Sequence, residues 1–465
     1  MKKWSLKNKW PVLIILCYIS LRLSFFFRPH HVIWDEAVYL GMGKWLWSLG
    51  SAGIWEMIRP PVLPLLLGFG WKIGLSSVVW GELLSLVFGV GTLWMVYLLG
   101  KELWTKEVGI LAALLLAVST TFFQFSMSIL TGSPAILFVL IGLWLFLRER
   151  YYLSGVLLGL AAITRFPIGL GFGSVMVFLV LYWLKDRKFE HIEKAFKVIV
   201  GFFIPLIPFF VFNYVMYRPE TSVAWHAILR PWILGHGHAW QPSMVEGTYM
   251  YYVMLLLSQG VWLIAFIPGV WYSLKKRKNK DALLLVSFLL LFTYFTIIGN
   301  RKERFAIAFL PFVVLFSARG WHYMLKSKTA RHGLFIALIV WAVIVPVPAM
   351  RAMEEWRAPE LPPLVTEYAN FPGSLGSPVL TADPLPSAYT DNLYIPYYFS
   401  HKEARVLVEP YLDSASAVIW TDAFWCAPGD DTCVGEVASL KEDLTSGRDL
   451  VFTGTYWERT YEIYE

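Results

Sequence analysis

Apolar runs of roughly 20 residues recur along the first three quarters of this 465-residue chain, and few architectures can hold them. A helix needs about 20 residues to cross the hydrocarbon core of a bilayer. Every backbone N–H and C=O in that core must be paired within the segment, so such runs are predicted to be helices. The content of hydrophobic residues, 57%, exceeds the usual soluble range of about 45–50%. The 23 Trp and 23 Tyr suit anchoring at the two interfaces. We predict about eleven transmembrane helices, at 10–27, 78–99, 108–123, 134–147, 152–164, 168–184, 198–216, 250–273, 282–298, 305–318 and 333–349. The 152–164 span is short, and is either tilted or joined to its neighbour across Arg165-Phe166-Pro167.

The net charge of +7 hides a split. Residues 1–350 carry 33 Lys/Arg against 14 Asp/Glu, and residues 351–465 carry 7 against 19. The basic part is the membrane part, so the charge reads as topology rather than nucleic-acid binding. Lys2, Lys3, Lys7 and Lys9 precede the first span. Alternate loops then hold Lys101 and Lys106, Arg148 and Arg150, Lys185 to Lys197, Lys275 to Lys280, and Arg319 to Arg331. These cytoplasmic segments hold 22 of the 33 basic residues, and the opposite loops hold 10. The N-terminus is therefore expected in the cytoplasm and the C-terminal segment outside. The first span is read as a retained anchor, because Arg28-Pro29-His30-His31 follows it in place of a small-residue cleavage site.

We expect a membrane domain, 1–350, with a first outer loop at 28–77 and a second long one at 217–249. A soluble extracytoplasmic α/β domain, 351–465, completes the chain. In that tail, strand-like runs occur at 377–381, 404–408, 417–420 and 450–452, with a helix at Val434 to Leu444. Cys426 and Cys433 enclose a short loop there and are expected to form a disulfide, while Cys17 lies in the first span.

The chemistry-bearing residues gather in the outer loops. The first opens Trp34-Asp35-Glu36-Ala37-Val38-Tyr39, two adjacent carboxylates beside aromatics just after a membrane exit. A carboxylate there can have its proton affinity tuned by desolvation and by nearby cations, which suits a general base. The bland alternative is an acidic pair capping a helix. The same loop ends Ile58-Arg59-Pro60-Pro61, an interfacial turn that puts Arg59 at headgroup height. Arg165, and the run Asn300-Arg301-Lys302-Glu303-Arg304, add basic residues on a side where topology does not call for them. Guanidinium forks and ammonium groups suit a phosphate, and converging cations stabilise it as a leaving group. The alternative for each is simple snorkelling. Glu82 is an intramembrane ionisable group near the end of the second span. His236 and His238 flank a Gly in the long outer loop. Two imidazoles alone specify no metal, and with Trp34, Tyr39 and Glu82 they are carried as candidate substrate-binding residues. No metal or other cofactor is required by these residues.

The order of these features resembles the GT-C glycosyltransferases, especially the protein O-mannosyltransferase and aminoarabinose transferase families. The resemblance rests on four features in order. They are Asp35-Glu36-x-x-Tyr39, then Arg59-Pro60-Pro61-x-x-Pro64-Leu65-Leu66-Leu67, then Gly159 to Arg165, then Lys302-Glu303-Arg304-Phe305 with Pro311. It covers about residues 10–350. It implies transfer of a single sugar, mannose among the options, from a polyprenyl- or dolichyl-phosphate donor to an acceptor in protein, glycan or lipid. It implies Asp35 as the base with Glu36 its neighbour, and Arg59, Arg165, Lys302 and Arg304 at the lipid phosphate. Inversion of the anomeric centre by direct displacement follows, with no strong acid because phosphate leaves readily. One departure is that Ser128 to Pro134 carries no carboxylate where relatives often have a second acid. The competing reading is a polytopic transporter or lipid flippase without transferase activity; no repeat between the halves supports it.

Overall fold

The computed structural model describes residues 9–26, 31–221, 223–239, 249–276, 279–344, 377–398, 401–422, 430–456 and 459–465. The chain forms two compact units. The first comprises Met1–Phe27, Met57–Val62 and Leu84–Glu355; the second comprises Arg28–Glu56, Leu63–Leu83 and Trp356–Glu465. Of the first outer loop, residues 31–56 and 63–77 fall in the second unit, with the described C-terminal residues.

The first unit is helical, as its apolar runs dictate. Among the described residues, four helical stretches are long and apolar enough to cross a membrane: Ser77–Leu103, Phe166–Asp186, Phe189–Tyr217 and Lys280–Ile297. Trp10–Phe26, Gly132–Leu147 and Tyr151–Thr164 are shorter apolar helices. Three predicted segments are interrupted. The run 108–123 divides into Lys106–Ala117 and Thr120–Phe125, with the Ser119 hydroxyl accepting from the Phe122 N–H at 3.3 Å. The run 250–273 divides into Tyr251–Ser258, a 3-10 turn Val261–Ala265, and Phe266–Lys276. Gly260 makes that break at φ +132°, where a side chain is strained. The run 305–318 begins as a 3-10 turn, Glu303–Ala308, before Leu310–Met324, whose first turn accepts Pro311.

Helices Tyr151–Thr164 and Phe189–Tyr217 approach backbone to backbone. A Cβ added to Gly155 would strike the Val198 carbonyl oxygen, and one added to Gly201 would strike that of Tyr152. Small residues at such contacts let helices associate where no hydrophobic force separates protein from lipid tails. Elsewhere in this unit Arg319 is buried against Asp281. Trp104 Nε1 donates to the same carboxylate at 2.8 Å, and the Arg319 guanidinium lies 4.7 Å from the Trp104 ring centre. A buried charge pair needs such extra hydrogen bonds to offset its desolvation.

The second unit is built on a six-stranded sheet. Its strands are β1 (Gly53–Ile54), β2 (Val379–Thr381), β3 (Leu393–Pro396), β4 (Ala417–Thr421), β5 (Leu450–Tyr456) and β6 (Arg459–Tyr464). Their order is β1-β3-β2-β4-β6-β5; the first four run parallel, and β6 is antiparallel to β4 and β5. Leu380, Tyr397, Val418, Trp420, Leu440 and Leu444 fill the core on one side. The expected strand at 404–408 is instead the end of a helix, His401–Val408. Ala404 and Val408, four apart, are buried, while Val406 and Leu407 face out. That is a helical period, which overrides the β propensity of the valines. Lys44, from helix Trp34–Trp47, fixes the first-loop segment to this unit. Its buried ammonium donates to the carbonyls of Thr390 (2.6 Å) and Ala388 (3.3 Å) and pairs with Asp391 at 3.1 Å. Burial lowers its pKa and Asp391 opposes that shift.

Candidate active site

The two adjacent acids of the first loop are given different environments by the start of their helix. Ile33, in extended conformation, caps Trp34–Trp47. Glu36 is the third helical residue, and its Oε2 accepts the Ile33 N–H at 3.0 Å. It is 1% exposed. This is the return half of a capping box, in which an N3 carboxylate satisfies an orphan donor. Asp35, one residue earlier, points differently and is only half-buried. Asp35 is thus the less buried of the two acids, while Glu36 closes the first turn of the helix.

Beside them Trp34 is half-buried and Tyr39 is buried. The Trp34 ring meets Tyr398 edge-on, centres 4.7 Å apart at 75°. The Tyr398 hydroxyl donates to Glu56 Oε1 at 2.5 Å, and Glu56 is 1% exposed. Glu82 is buried in the same unit. Glu56 and Tyr398 were not among the sequence candidates. Glu56 lies in an unremarkable Gly-Ile-Trp-Glu run, and Tyr398 is 342 residues away from it.

In the first unit the cations gather at two helix breaks. Arg165 ends helix Tyr151–Thr164 in extended conformation before the 3-10 turn Phe166–Gly169. Lys302, also extended, precedes the turn Glu303–Ala308. Two guanidinium groups approach the ring of Phe305, Arg165 at 4.7 Å and Arg304 at 5.5 Å from its centre. Both prefer a ring face to bare hydrocarbon. Arg165 also donates to the Thr131 hydroxyl at 3.2 Å. The segment Ser128 to Pro134, which carries no carboxylate, thus brings a neutral hydroxyl to Arg165. The Tyr252 hydroxyl donates to the Lys302 carbonyl at 3.1 Å, and Tyr252 and Tyr294 lie within electrostatic reach of Arg165.

The turn is braced from below. The Thr121 hydroxyl donates to Glu303 Oε1 at 2.6 Å. Gln259 Oε1 accepts from Ser119 Oγ (2.9 Å), Thr120 Oγ1 (3.0 Å) and the Thr121 N–H (3.1 Å). Arg301 is placed differently from Arg165 and Arg304. It is 4% exposed, donates from Nε to the Thr296 carbonyl at 2.9 Å, and lies over the Tyr249 ring at 4.5 Å. Arg59 is half-buried in the short segment Met57–Val62. His236 and His238 belong to helix Ala224–Ala239, but their side chains lie outside the described residues. Cys433 is disulfide-bonded; Cys426, its expected partner, lies outside the described residues. Cys17 is a free thiol on an exposed helix face.

Comparison with known proteins places this geometry. Residues 58–212 match the family model described as dolichyl-phosphate-mannose-protein mannosyltransferase. No curated protein matches the chain in sequence. The fold is similar to that of ArnT from Cupriavidus metallidurans in the apo state, with a TM-score of 0.69 at 13% identity, covering 99% of this chain and 98% of that one. The same protein bound to undecaprenyl phosphate gives 0.65 at 13% identity, over 97% of each chain. The archaeal oligosaccharyltransferase AglB from Archaeoglobus fulgidus, in complex with an inhibitory peptide and a dolichol-phosphate, gives 0.59 at 12% identity, over 90% of this chain and 69% of that one. The resemblance read from the motif order is borne out, in fold along nearly the whole chain and in sequence over residues 58–212.

Proposed function

We propose that this chain, a membrane glycosyltransferase of the GT-C kind, moves one sugar from a polyprenyl- or dolichyl-phosphate to an acceptor hydroxyl at the outer face of the membrane. Mannose is the sugar suggested by the family match. The eleven-span topology, with the N-terminus in the cytoplasm and the C-terminal segment outside, is part of the same reading and rests on the alternation of basic loops.

The observation that carries the proposal is the pair of guanidinium groups on Phe305, delivered by two helix breaks far apart in sequence. Cations gathered at such a place in a membrane protein are candidates for a functional site, and two neighbouring guanidinium groups suit an anion. A guanidinium fork matches a phosphate and strengthens its hold as charge develops on the leaving oxygen. In this reading Arg165, Arg304 and Lys302 hold the donor phosphate, with Arg59 a further cation for it. Arg301 serves chiefly to fix the turn.

Asp35 takes the proton of the acceptor hydroxyl. The oxygen attacks the anomeric carbon, the bond from that carbon to the phosphate oxygen breaks, and the polyprenyl phosphate leaves as an anion. One displacement inverts the anomeric centre. The missing acid between Ser128 and Pro134 is consistent with this scheme, because a phosphate leaving group needs no proton.

Donor-lipid binding tests the proposal. Arg304→Ala should weaken binding of polyprenyl phosphate about ten- to a hundred-fold, the loss of one charge-assisted hydrogen bond of roughly 1.5–3 kcal/mol. Unchanged affinity in both Arg304→Ala and Arg165→Ala would remove the phosphate role of this ring and favour the transporter reading.

A further inference from the structure

The geometry points to Tyr398, locked by Glu56, as a positioning residue for Asp35. This rests on the reading of Asp35 as the base. It adds that a side chain from the C-terminal segment sets where that base stands.

The route is short and lies wholly within the second unit. β1 and β3 are parallel neighbours, with Ile54 opposite Tyr394. Glu56 follows the end of β1 by two residues, and Tyr398 follows the end of β3 by two. Both therefore leave the same, carboxyl, edge of adjoining strands, which is why residues so distant in sequence meet there. Glu56 is buried and accepts the Tyr398 hydroxyl at 2.5 Å, so the tyrosine side chain cannot swing away from its place without losing that hydrogen bond. That ring presents its edge to Trp34. Trp34 is the first residue of its helix and Asp35 the second. The first helical turn is where a helix frays most readily, because its leading N–H groups lack partners within the helix. Here the turn is held from two sides, by Glu36 on the Ile33 N–H and by Tyr398 on the Trp34 ring. A base must stand within hydrogen-bond reach of the proton it takes, so holding this turn acts on the rate rather than on donor binding.

The test measures transfer from a labelled polyprenyl-phosphate sugar to a membrane extract by the purified full-length protein. Tyr398→Phe removes one oxygen and keeps the ring. It should lower kcat about ten-fold, given that misplacements near 1 Å cost up to about a hundred-fold. The donor KM should stay the same, and the acid limb of the kcat–pH profile should shift. Glu56→Gln keeps an oxygen for the tyrosine and should recover most of the rate lost in Glu56→Ala. The double variant Tyr398→Phe/Glu56→Ala should be no slower than the worse single, since both break one bond. If Tyr398→Phe does not fold, Trp34→Phe shortens the ring that Tyr398 meets and carries the same expectation. Normal kcat and pH profile in these variants, beside an inactive Asp35→Asn, would overturn the positioning role and leave sugar transfer standing. A fully active Asp35→Asn would overturn the base and the positioning role together.

Discussion

At the residue scale, Asp35 and Glu36 differ in burial and in their place in the helix cap. Glu36 is consumed in closing the first turn of its helix, and Asp35 is left half-exposed. The two substitutions should therefore fail differently. Asp35→Asn should cost transfer a factor of about 10²–10⁴, the usual contribution of a general base, with little change in thermal stability. Glu36→Ala should lower stability by about 1 kcal/mol, the ordinary cost of a lost cap, as read by denaturant unfolding. Equal effects of both on rate would contradict the division. The sequence names both acids but cannot separate them, because adjacency says nothing of which one turns back to the Ile33 N–H. It likewise names Arg301 and Arg304 together, while the structure commits Arg301 to the Thr296 carbonyl and Tyr249, and brings Arg304 to Phe305. Tyr398 and Glu56 could not be read at all, since nothing local marks a pair 342 residues apart.

At the element scale, the helices follow the apolar periodicity, and the interruptions follow breakers that are visible once sought. Gly260 and Pro311 lie at two of them, and Ser119 caps the third. The segments 108–123, 250–273 and 305–318 read as unbroken because a window average of hydropathy does not see a single φ or cap. Two of these interruptions, at Ser119 and before Leu310, carry the residues that brace the cation turn, Thr121 and Glu303. The close approach of Tyr151–Thr164 to Phe189–Tyr217 yields a packing prediction. Gly201→Leu should destabilise the protein by about 1–3 kcal/mol or more, the range for overpacked contacts, and lower the yield of folded protein. In the other unit, the edge formed by β4, β6 and β5 should be acid-sensitive. Burial would raise the Glu462 pKa, but hydrogen bonds from Lys441 and Tyr464 outweigh it and hold the carboxylate below 4.5. The stability this gives is present above pH 4.5 and is lost as pH falls through the lower folded value. Hydrogen exchange in β5 and β6 should accelerate in that window; Glu462→Gln should abolish the acceleration.

At the scale of the whole molecule, the sequence divides cleanly at the change of charge and hydropathy, and the structure divides elsewhere. Residues Arg28–Glu56 and Leu63–Leu83 belong to the same compact unit as Trp356–Glu465. Composition could not reveal this, because β1 contributes only two residues and Lys44 looks like one more basic residue in a loop. In the fold it is a buried ammonium whose partners, Asp391, Thr390 and Ala388, all come from the C-terminal segment. Removing that segment would leave a buried charge without compensation and β1 without β3, so a truncated chain should be cut rapidly by protease within residues 31–56. Sugar transfer is the activity on which every role proposed above depends. Purified protein incubated with labelled polyprenyl-phosphate sugars and a membrane extract should yield a labelled product of inverted anomeric configuration, and Asp35→Asn should yield none. No product from any donor, or full activity in Asp35→Asn, would contradict it.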